Sequence, residues 1–457
     1  MPYLPGLRAS SYLRENDWTP LRSLVDSPGG SADDWQEAAE ALAGGLRQTL
    51  RLRHLPLQTE VSAGSLRIRA SGIAGTLRLR NVTFDVAPKF ITPGTDPATW
   101  QNSIFSILGR ATGSRLAYSR VTHIAQAPAS FVDHLALAYL DALEMGLSTE
   151  AINTYKVRED RLPVLRGRLN LRRQLASIFE HPHLLECDFD ELNTDNAYNH
   201  LFHWACDRLA LLVMDGAIRS RLLSMEWRLP PVAGPARMPS RFPLPILPQY
   251  RSWTEAIEIG SLLAMGSSHA MRKGIVTGYG LVLGMERLFE DFVENSLAHA
   301  VRLIPKDGIR VQRQDTRLYA TPAEAHMRRY FTRPDDVVYV QDKAELVVDA
   351  KYKRLADAEE TRLRKPINSD VYEIVASMTA HDCPRGLLVF PKILGDSDLG
   401  DGQVRTWRVE AFGRTLFVSA VSLDLATLQR EGDLRHLDKH LADVVVDLLS
   451  GGVGPDV

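Results

Sequence analysis

Residues 333–351 read Arg-Pro-Asp-Asp-Val-Val-Tyr-Val-Gln-Asp-Lys-Ala-Glu-Leu-Val-Val-Asp-Ala-Lys, and this stretch decides the fold around it. Two apolar, β-branched runs flank a polar segment at 341–343, a pattern that predicts a β-hairpin with a three-residue turn. Pairing about the middle of that turn places Asp335 opposite Asp349, with their Cβ atoms about 5 Å apart. Because side chains alternate along a strand, Lys351 should lie on the same face as Asp349.

Two carboxylates and a lysine on one sheet face suit the metal-dependent hydrolysis of a phosphodiester. Mg²⁺ is typically held by one or two carboxylates, while waters and substrate phosphate complete its shell. We therefore predict Asp335 and Asp349 as ligands of Mg²⁺, or alternatively of Mn²⁺, with the carbonyl of Ala350 as a third ligand. Lys351 would orient or help deprotonate the attacking water and offset phosphate charge. Glu290, on a preceding predicted helix, is a further candidate ligand, directly or through water.

The alternative interpretation of Asp-Ala-Lys is an ordinary solvated strand, since this tripeptide is a weak signal alone. However, Val347 and Val348 belong to an apolar run that is predicted to be buried. An aspartate in such a run is costly unless it is paired or binds a metal. The matching Pro334-Asp335 on the other strand also favours a functional site.

Length and composition indicate a globular protein of two to four domains. The chain has 457 residues, of which 45% are hydrophobic and 24% charged. Its net charge of −2 argues against a wholesale electrostatic nucleic-acid binder, although local basic patches remain compatible with it. The three cysteines cannot pair completely, which fits a reducing cytoplasm. We find no signal peptide, no membrane-spanning apolar run and no GxxxxGK[ST] phosphate loop, so a partner chain should supply any nucleotide hydrolysis.

The predicted fold class is multidomain α+β, with three segments. Residues 1–95 form a β-rich region, and residues 96–248 form a helical region. The helical region ends in a linker with seven prolines between Pro230 and Pro248, a density that blocks helix formation. Residues 249–457 form an α/β domain that holds the acidic hairpin in mid-sheet and ends in an amphipathic helix.

A second predicted hairpin lies in the N-terminal region. Residues 66–69 and 77–80 alternate leucine or isoleucine with arginine, and a glycine-containing turn at 71–75 separates them. The outward face of this hairpin would carry four arginines, namely Arg67, Arg69, Arg78 and Arg80. These side chains would contact phosphate or an acidic partner surface. Equally, they would form a soluble face that resists edge aggregation.

The hairpin residues also match a family signature. Pro334-Asp335 followed by Asp349-Ala350-Lys351 matches the PD-(D/E)xK nuclease signature, and the chain around it resembles the McrC family, the nuclease subunit of McrBC-type modification-dependent restriction systems. The resemblance covers about residues 44–421. Its blocks are Val86-Ala87-Pro88-Lys89, Leu165-Arg166-Gly167-Arg168-Leu169, Cys187-Asp188-Phe189-Asp190-Glu191, Met285-Glu286-Arg287-Leu288-Phe289-Glu290 and Asp349-Ala350-Lys351-Tyr352-Lys353.

The resemblance implies a C-terminal α/β domain of the PD-(D/E)xK restriction-endonuclease-like type and a Mg²⁺-dependent endonuclease that cuts double-stranded DNA. It also implies a role in antiviral defence, with an McrB-like AAA+ GTPase hexamer as the partner that recognises modified DNA. The resemblance further implies that the chain docks on this hexamer by its N-terminal and helical part, with residues 1–95 as the partner-docking region. Arg166 and Arg168 are then candidates for partner or DNA contact, or alternatively part of a solvated turn. Many relatives carry Asp-x-Tyr-Gln on the helix after the active strand, whereas this chain has Glu373 at the glutamine position. We treat Glu373 and Lys353 as accessory residues.

Two other function classes remain open at this stage. The chain would in one case be a non-catalytic adaptor that only assembles and activates an AAA+ ring. In the other case it would be a stand-alone PD-(D/E)xK repair nuclease. The intact set of two aspartates and a lysine argues against the adaptor, since an adaptor has no need to bury two like charges together.

Overall fold

The computed structural model describes residues 12–24, 30–62, 64–80, 82–113, 130–177, 179–239, 244–272, 275–320, 329–355, 366, 368–393, 403–411 and 413–451. The fold is a mixed α+β fold, as predicted, and it divides into two compact units. The larger unit comprises Met1–His134 and Gly266–Val457, and the smaller unit comprises Leu135–Met265. These units do not coincide with the three predicted segments, because a strand from residues 275–284 pairs with one from residues 73–79.

The N-terminal part of the larger unit contains short strands and three helices. A Ser31–Asp34 capping box starts the second helix, whose buried apolar stripe continues to Leu46. The elements are β1 (Tyr12–Arg14), β2 (Thr19–Pro20), α1 (Leu21–Leu24), α2 (Ala32–Leu50), β3 (Leu57–Ser62), β4 (Ser65–Ala70), β5 (Ile73–Leu79), β6 (Val82–Ala87) and α3 (Pro97–Thr112).

The remaining elements of the larger unit follow residue 266. They are β10 (Ser267–Arg272), β11 (Ile275–Gly284), α9 (Met285–Leu303), β12 (Ile309–Arg313), β13 (Arg317–Ala320), β14 (Tyr330–Thr332), β15 (Asp336–Val340), β16 (Lys343–Ala350), α10 (Asn368–Ala380), β17 (Arg385–Pro391), β18 (Arg405–Ala411), β19 (Arg414–Leu423) and α11 (Glu431–Leu449). A short 3₁₀ helix at Leu425–Thr427 precedes α11.

The predicted arginine hairpin does not form. Strand β4 pairs with β2 and β3 in one sheet, whereas β5 lies in the order β1-β6-β5-β11-β10 in another sheet. The chain changes sheet at Ser71-Gly72, where Gly72 has φ +71°. Alternation of leucine with arginine cannot distinguish these pairings, because β3 and β6 offer equally suitable partner strands. The four arginines therefore do not share one hairpin face.

Three of these arginines have partners within the larger unit. Arg67 donates to Glu60 Oε1 at 3.1 Å, and the Arg69 guanidinium lies 5.9 Å from the Trp18 ring centroid. The Arg80 guanidinium lies 5.7 Å from the Trp35 ring centroid and pairs with Asp34 at 3.5 Å. These contacts weaken the prediction that the arginines bind phosphate.

Gly75 lies inside β5 rather than in a turn, and no other residue fits its position. Its φ is +135°, and an added Cβ would lie 2.4 Å from the carbonyl oxygen of Leu281 on β11. We expect Gly75→Ala to lower the free energy of unfolding by about 2–4 kcal/mol, through backbone strain and overpacking. Denaturant unfolding measures this, with Gly44→Ala in α2 as the control, since a Cβ there meets nothing within 4 Å. Equal stability of the two variants would contradict the prediction.

The acidic hairpin lies in a mixed sheet whose described strands have the order β12-β15-β16-β17-β19-β18. Strand β16 pairs antiparallel with β15 and parallel with β17, so it is interior, as predicted. One face packs on α10 through a buried cluster that includes Val337, Val347, Ile374, Met378 and Leu388. Helices α9 and α11 pack on each other and contact β16 from the opposite face. Alternation then puts odd-numbered residues of β16, including Asp349, on the α10 face.

The smaller unit contains a sheet that the sequence did not predict. Its elements are α4 (Phe131–Leu147, which begins in the larger unit), β7 (Thr154–Leu162), β8 (Arg168–Leu169), α5 (Leu171–Ser177), β9 (Leu185–Asn193), α6 (Ala197–Leu212), α7 (Gly216–Arg228), a 3₁₀ helix (Pro248–Trp253) and α8 (Thr254–Gly266). The predicted helical region therefore contains a sheet as well as helices.

The three strands of this sheet have the order β7-β9-β8, and β7 is mostly exposed. Cross-strand ion pairs, Arg158 with Glu191 and Arg161 with Glu186, hold β7 to β9 where apolar alternation is weak. The described residues of the proline-rich stretch, 230–239 and 244–247, form neither helix nor strand, as predicted. In the part of the chain that the structure describes, no helix is long and apolar enough to cross a membrane.

Candidate active site

The acidic hairpin forms, but with a different turn from the predicted one. Val340 pairs with Lys343, so the turn has two residues, Gln341 and Asp342, with φ values of +50° and +65°. Two positive φ values are typical of a type I′ turn, which matches the twist of the flanking strands. A two-residue turn alone would shift the register by one position.

A β-bulge restores the predicted register. Tyr339 pairs with Ala344 and Val338 pairs with Leu346, which leaves Glu345 as the extra residue. Beyond the bulge Asp336 pairs with Val348. The same register places Asp335 opposite Asp349 at the following position.

The carboxyl groups of Asp335 and Asp349 lie close enough for each to change the pKa of the other. The Ala350 amide also donates to Asp335 Oδ2 at 2.7 Å. Burial raises the pKa of Asp349 to about 7, and the Asp335 carboxylate raises it further against the effect of Lys351. Burial likewise raises the pKa of Asp335. The two acids therefore form a coupled, largely buried pair.

Lys351 completes this pair on the same face, as predicted. Its Nζ lies 2.5 Å from Asp349 Oδ2 and 3.0 Å from Glu373 Oε2. Burial alone would lower the pKa of Lys351, but the Asp349 and Glu373 carboxylates raise it well above its ordinary value. Lys351 thus stays a cation, and Glu373, whose side chain is 66% exposed, joins the cluster from α10.

Glu290 approaches the pair from α9. Burial raises its pKa to about 7, and the carboxylates of Glu286, Asp291 and Asp349 add to that increase. Lys351 lowers the pKa of Glu290 in return. Glu290 therefore lies within electrostatic range of the site, as the candidate ligand should.

The other predicted site residues each have partners of their own. Lys353 pairs with Asp370 on α10 at 2.6 Å, which holds its ammonium group away from the acidic pair. The Arg166 guanidinium stacks 4.1 Å from the Phe189 ring centroid. The backbone of Arg168 lies opposite that of Asp188 in the antiparallel β8–β9 ladder. Gly167, between them, has φ +66°, and a Cβ there would lie 2.4 Å from the Asp188 carbonyl oxygen. The Arg-Gly-Arg block is thus at least partly a requirement of this turn.

Asp336 is a notable residue that the sequence argument missed. It is fully buried, and within the described residues neither of its carboxyl oxygens has a hydrogen-bond partner. Burial raises its pKa to about 8, and the Asp335 carboxylate adds to this. The signal was present in the sequence, since Asp335-Asp336 entering an apolar strand must put one acid on each face.

We expect Asp336→Asn to flatten the pH dependence of stability. The pKa of Asp336 is about 8 in the folded protein against an ordinary value of 3.8, so between these values the folded state binds more protons. The free energy of unfolding of the wild type should therefore decrease as pH rises from about 4 to about 8. Between pH 5 and pH 9 the wild type should lose a few kcal/mol more than the variant, on the order that such a shift implies.

Denaturant unfolding at the two pH values measures this difference. Asp342→Asn is the control, because that side chain lies in the turn and is 91% exposed. The same pH dependence in wild type and Asp336→Asn would contradict the prediction.

The residues fit a hydrated divalent cation rather than a fully enclosed one. Two neighbouring buried carboxyl groups both remain ionised only when a cation neutralises them; without one, they tend to bind a proton, and both pKa values here are raised. Over the described residues, no three His, Cys, Asp or Glu side chains form a ready metal cluster. Such a donor set suits Mg²⁺, which is usually held through one or two carboxylates and keeps several waters.

Comparison with known proteins identifies the family. The model of the family described as "McrBC 5-methylcytosine restriction system component" matches residues 68–391, well over half of the chain. The chain belongs to the McrBC family. The matched range contains Glu290, Asp335, Asp349, Lys351 and Glu373.

One solved structure agrees with this assignment at the level of the fold. The chain is similar to a chain of the refined half-complex from a tetradecameric assembly of Thermococcus gammatolerans McrB AAA+ hexamers with bound McrC, with TM-score 0.65 and 17% identity. That match covers 96% of this chain and 100% of the other. A chain of the cryo-EM structure of the Thermococcus gammatolerans McrBC complex matches with TM-score 0.47 and 18% identity, over 65% of this chain and 89% of the other. No curated protein matches the sequence.

Proposed function

We propose that this McrBC-family chain is the Mg²⁺-dependent DNA endonuclease of a restriction system, with a PD-(D/E)xK-type site. The observation that carries the proposal is the buried Asp349 with the Lys351 ammonium 2.5 Å away, beside Asp335, which accepts from the Ala350 amide at 2.7 Å. An isolated pair of acids destabilises a fold unless it has a function or a counterion. A non-catalytic adaptor would not need this arrangement.

In this proposal Asp335, Asp349 and the Ala350 carbonyl hold Mg²⁺, and Glu290 contributes directly or through water. The bound ion would supply a Lewis acid that stabilises charge on the phosphoryl group. Lys351, kept charged by its neighbours, orients the attacking water and offsets the negative charge that develops on the phosphate. Glu373 restrains the Lys351 ammonium from the side of α10.

We propose that an McrB-like AAA+ GTPase hexamer delivers modified DNA to this site, and that the chain docks on the hexamer through the β7–β9 sheet. Tyr155 and Val157 alternate on one face of β7 and are 74% and 67% exposed. Leu192, paired with Tyr155 across the ladder, is 57% exposed. We call these three residues the apolar strand patch. An exposed apolar patch of this kind is typical of a protein–protein interface.

The test of the proposal is cleavage by the chain together with its AAA+ partner. We expect cleavage of duplex DNA that contains 5-methylcytosine or another modified base, in the presence of GTP and Mg²⁺, and complete loss of cleavage when EDTA removes the cation. Cleavage without the partner would favour a stand-alone nuclease. No cleavage of any modified duplex, together with stimulation of the partner's GTP hydrolysis, would favour the adaptor.

A further inference from the structure

A buried cluster of polar and aromatic side chains adjoins the site from the N-terminal sheets. It consists of Glu15, which follows β1, Lys89, which follows β6, and Tyr352, which directly follows Lys351; we call it the Glu15–Lys89–Tyr352 cluster. Glu15 is 1% exposed and Tyr352 is 8% exposed. Charged groups at such depth are costly unless they are well paired, so their contacts need an explanation.

The cluster is densely hydrogen-bonded. The Tyr352 hydroxyl donates to Glu15 Oε2 at 2.7 Å. Lys89 Nζ donates to the Tyr352 carbonyl at 2.8 Å and lies 3.8 Å from the centroid of the Tyr352 ring. The amides of Lys89 and Gly72 donate to the two Glu15 oxygens at 3.1 and 2.9 Å. The side chain and the backbone of Tyr352 are thus both fixed by residues more than 260 positions away, as the separation of 263 for Lys89 shows.

These contacts bear on Lys351 through the backbone. The Lys351 amide donates to the Val389 carbonyl on β17 at 2.8 Å. This hydrogen bond fixes the backbone on the N-terminal side of the Lys351 side chain. The cluster fixes the Tyr352–Lys353 peptide through the Tyr352 carbonyl, and it fixes the Tyr352 side chain through the hydroxyl. The Phe289 ring of α9 lies 5.8 Å from the Tyr352 ring, centroid to centroid, and closes the pocket around the tyrosine. Lys351 is therefore held between β17 and the cluster.

We propose that the Glu15–Lys89–Tyr352 cluster positions Lys351 for phosphodiester cleavage. Lys89 and Tyr352 are positioning residues in this inference, which rests on the proposed nuclease function. The Val86-Ala87-Pro88-Lys89 block then has a physical role: it carries the cation that holds the end of the active strand. Catalytic geometry must hold to within a fraction of an ångström, so the loss of such support lowers the rate of the chemical step.

The expected result is a loss of cleavage rate in Lys89→Met and in Tyr352→Phe. Each variant should lower the single-turnover rate at saturating Mg²⁺ and DNA by about 10- to 100-fold, the usual effect of losing a supporting contact at a metal site. The DNA concentration at half-maximal rate and the affinity for the AAA+ partner should not change. Lys89→Arg should recover most of the rate, since it keeps a cation for the Tyr352 ring and carbonyl.

A mutant cycle distinguishes positioning from general damage. Glu15→Gln and Tyr352→Phe both weaken the same hydrogen bond, so the double variant should be little slower than the slower single variant. Arg110→Met is the matched control for a lost buried cation, because Arg110 pairs with Asp438 at 2.8 Å and both side chains are 9% exposed. This control should lower thermal stability while the rate constant of the folded fraction stays at the wild-type value.

The outcomes separate the two proposals. Wild-type cleavage rates in Lys89→Met and Tyr352→Phe would overturn the positioning role and leave the nuclease intact. Rates that fall equally in Arg110→Met would also overturn it, because the effect would then be one of stability alone. Absence of cleavage by the wild type with Mg²⁺, GTP, partner and modified DNA would overturn both proposals.

Discussion

Asp349→Ala should abolish Mg²⁺-dependent DNA cleavage and preserve the fold. Asp349 lies beside Asp335 and 2.5 Å from the Lys351 ammonium, so its loss removes a proposed metal ligand and the partner of Lys351. Metal stabilisation of a phosphoryl transition state is worth several kcal/mol, which corresponds to about 10³-fold or more in rate. Single-turnover cleavage of modified duplex DNA by the complex with the AAA+ partner measures this loss.

The loss should not come from unfolding. Burial raises the pKa of Asp349 to about 7, so above that pH its ionisation costs stability in the folded state. Asp349→Ala should therefore be at least as stable as the wild type at pH 8, and it should still bind the partner. Asp342→Ala, in the exposed turn of the same hairpin, is the control that should keep full activity. If Asp349→Ala still cuts DNA, the proposed site is wrong.

Tyr155→Asp is expected to weaken binding of the AAA+ hexamer by about 30-fold or more. Tyr155 lies in the apolar strand patch, and exposed tyrosines are frequent hot spots worth about 2 kcal/mol or more at interfaces. A buried, unpaired carboxylate in its place would oppose docking further. Titration of the chain against the hexamer, followed by fluorescence anisotropy or by stimulation of GTP hydrolysis, measures the change.

Trp227→Asp is the matched control for this variant. Trp227 is 91% exposed on α7 of the same unit but lies outside the apolar strand patch. The Trp227→Asp variant should bind the hexamer as the wild type does. In the absence of DNA, the free energy of unfolding should be the same for both variants. Unchanged affinity in Tyr155→Asp, or an equal loss in Trp227→Asp, would show that the β7–β9 sheet is not the docking surface.

The acidic hairpin could be predicted from sequence because its information is local. Alternating apolar residues identified both strands, and the position of the polar residues limited the turn to one place. The prediction put Asp335 beside Asp349 although the turn proved to be one residue shorter. The bulge at Glu345 compensates, because burial of Val337 and Val347 on the α10 face requires that register.

The arginine strands show the opposite case. Leu66–Arg69 and Leu77–Arg80 alternate as a hairpin should, yet β4 and β5 belong to different sheets. Alternation indicates which residues of a strand face a core, but it does not indicate which other strand pairs with it. The polar strand β7 was missed for a related reason, since ion pairs with β9 replace the apolar pattern that marks most strands.

The sequence by itself determined the candidate chemistry of this protein: two aspartates and a lysine on one strand pair, within the range 68–391 that matches the McrBC family. Only the tertiary structure decided which distant groups join that chemistry. Glu290 and Glu373, already candidates from the sequence, approach the hairpin from α9 and α10. The Glu15–Lys89–Tyr352 cluster, whose contacts no sequence pattern indicated, forms across a separation of 263 residues. Strand alternation depends on residues that are neighbours in sequence, so it can be read from the sequence. A buried charge needs partners that are close in space, and these can be far away in sequence, where no local pattern indicates them.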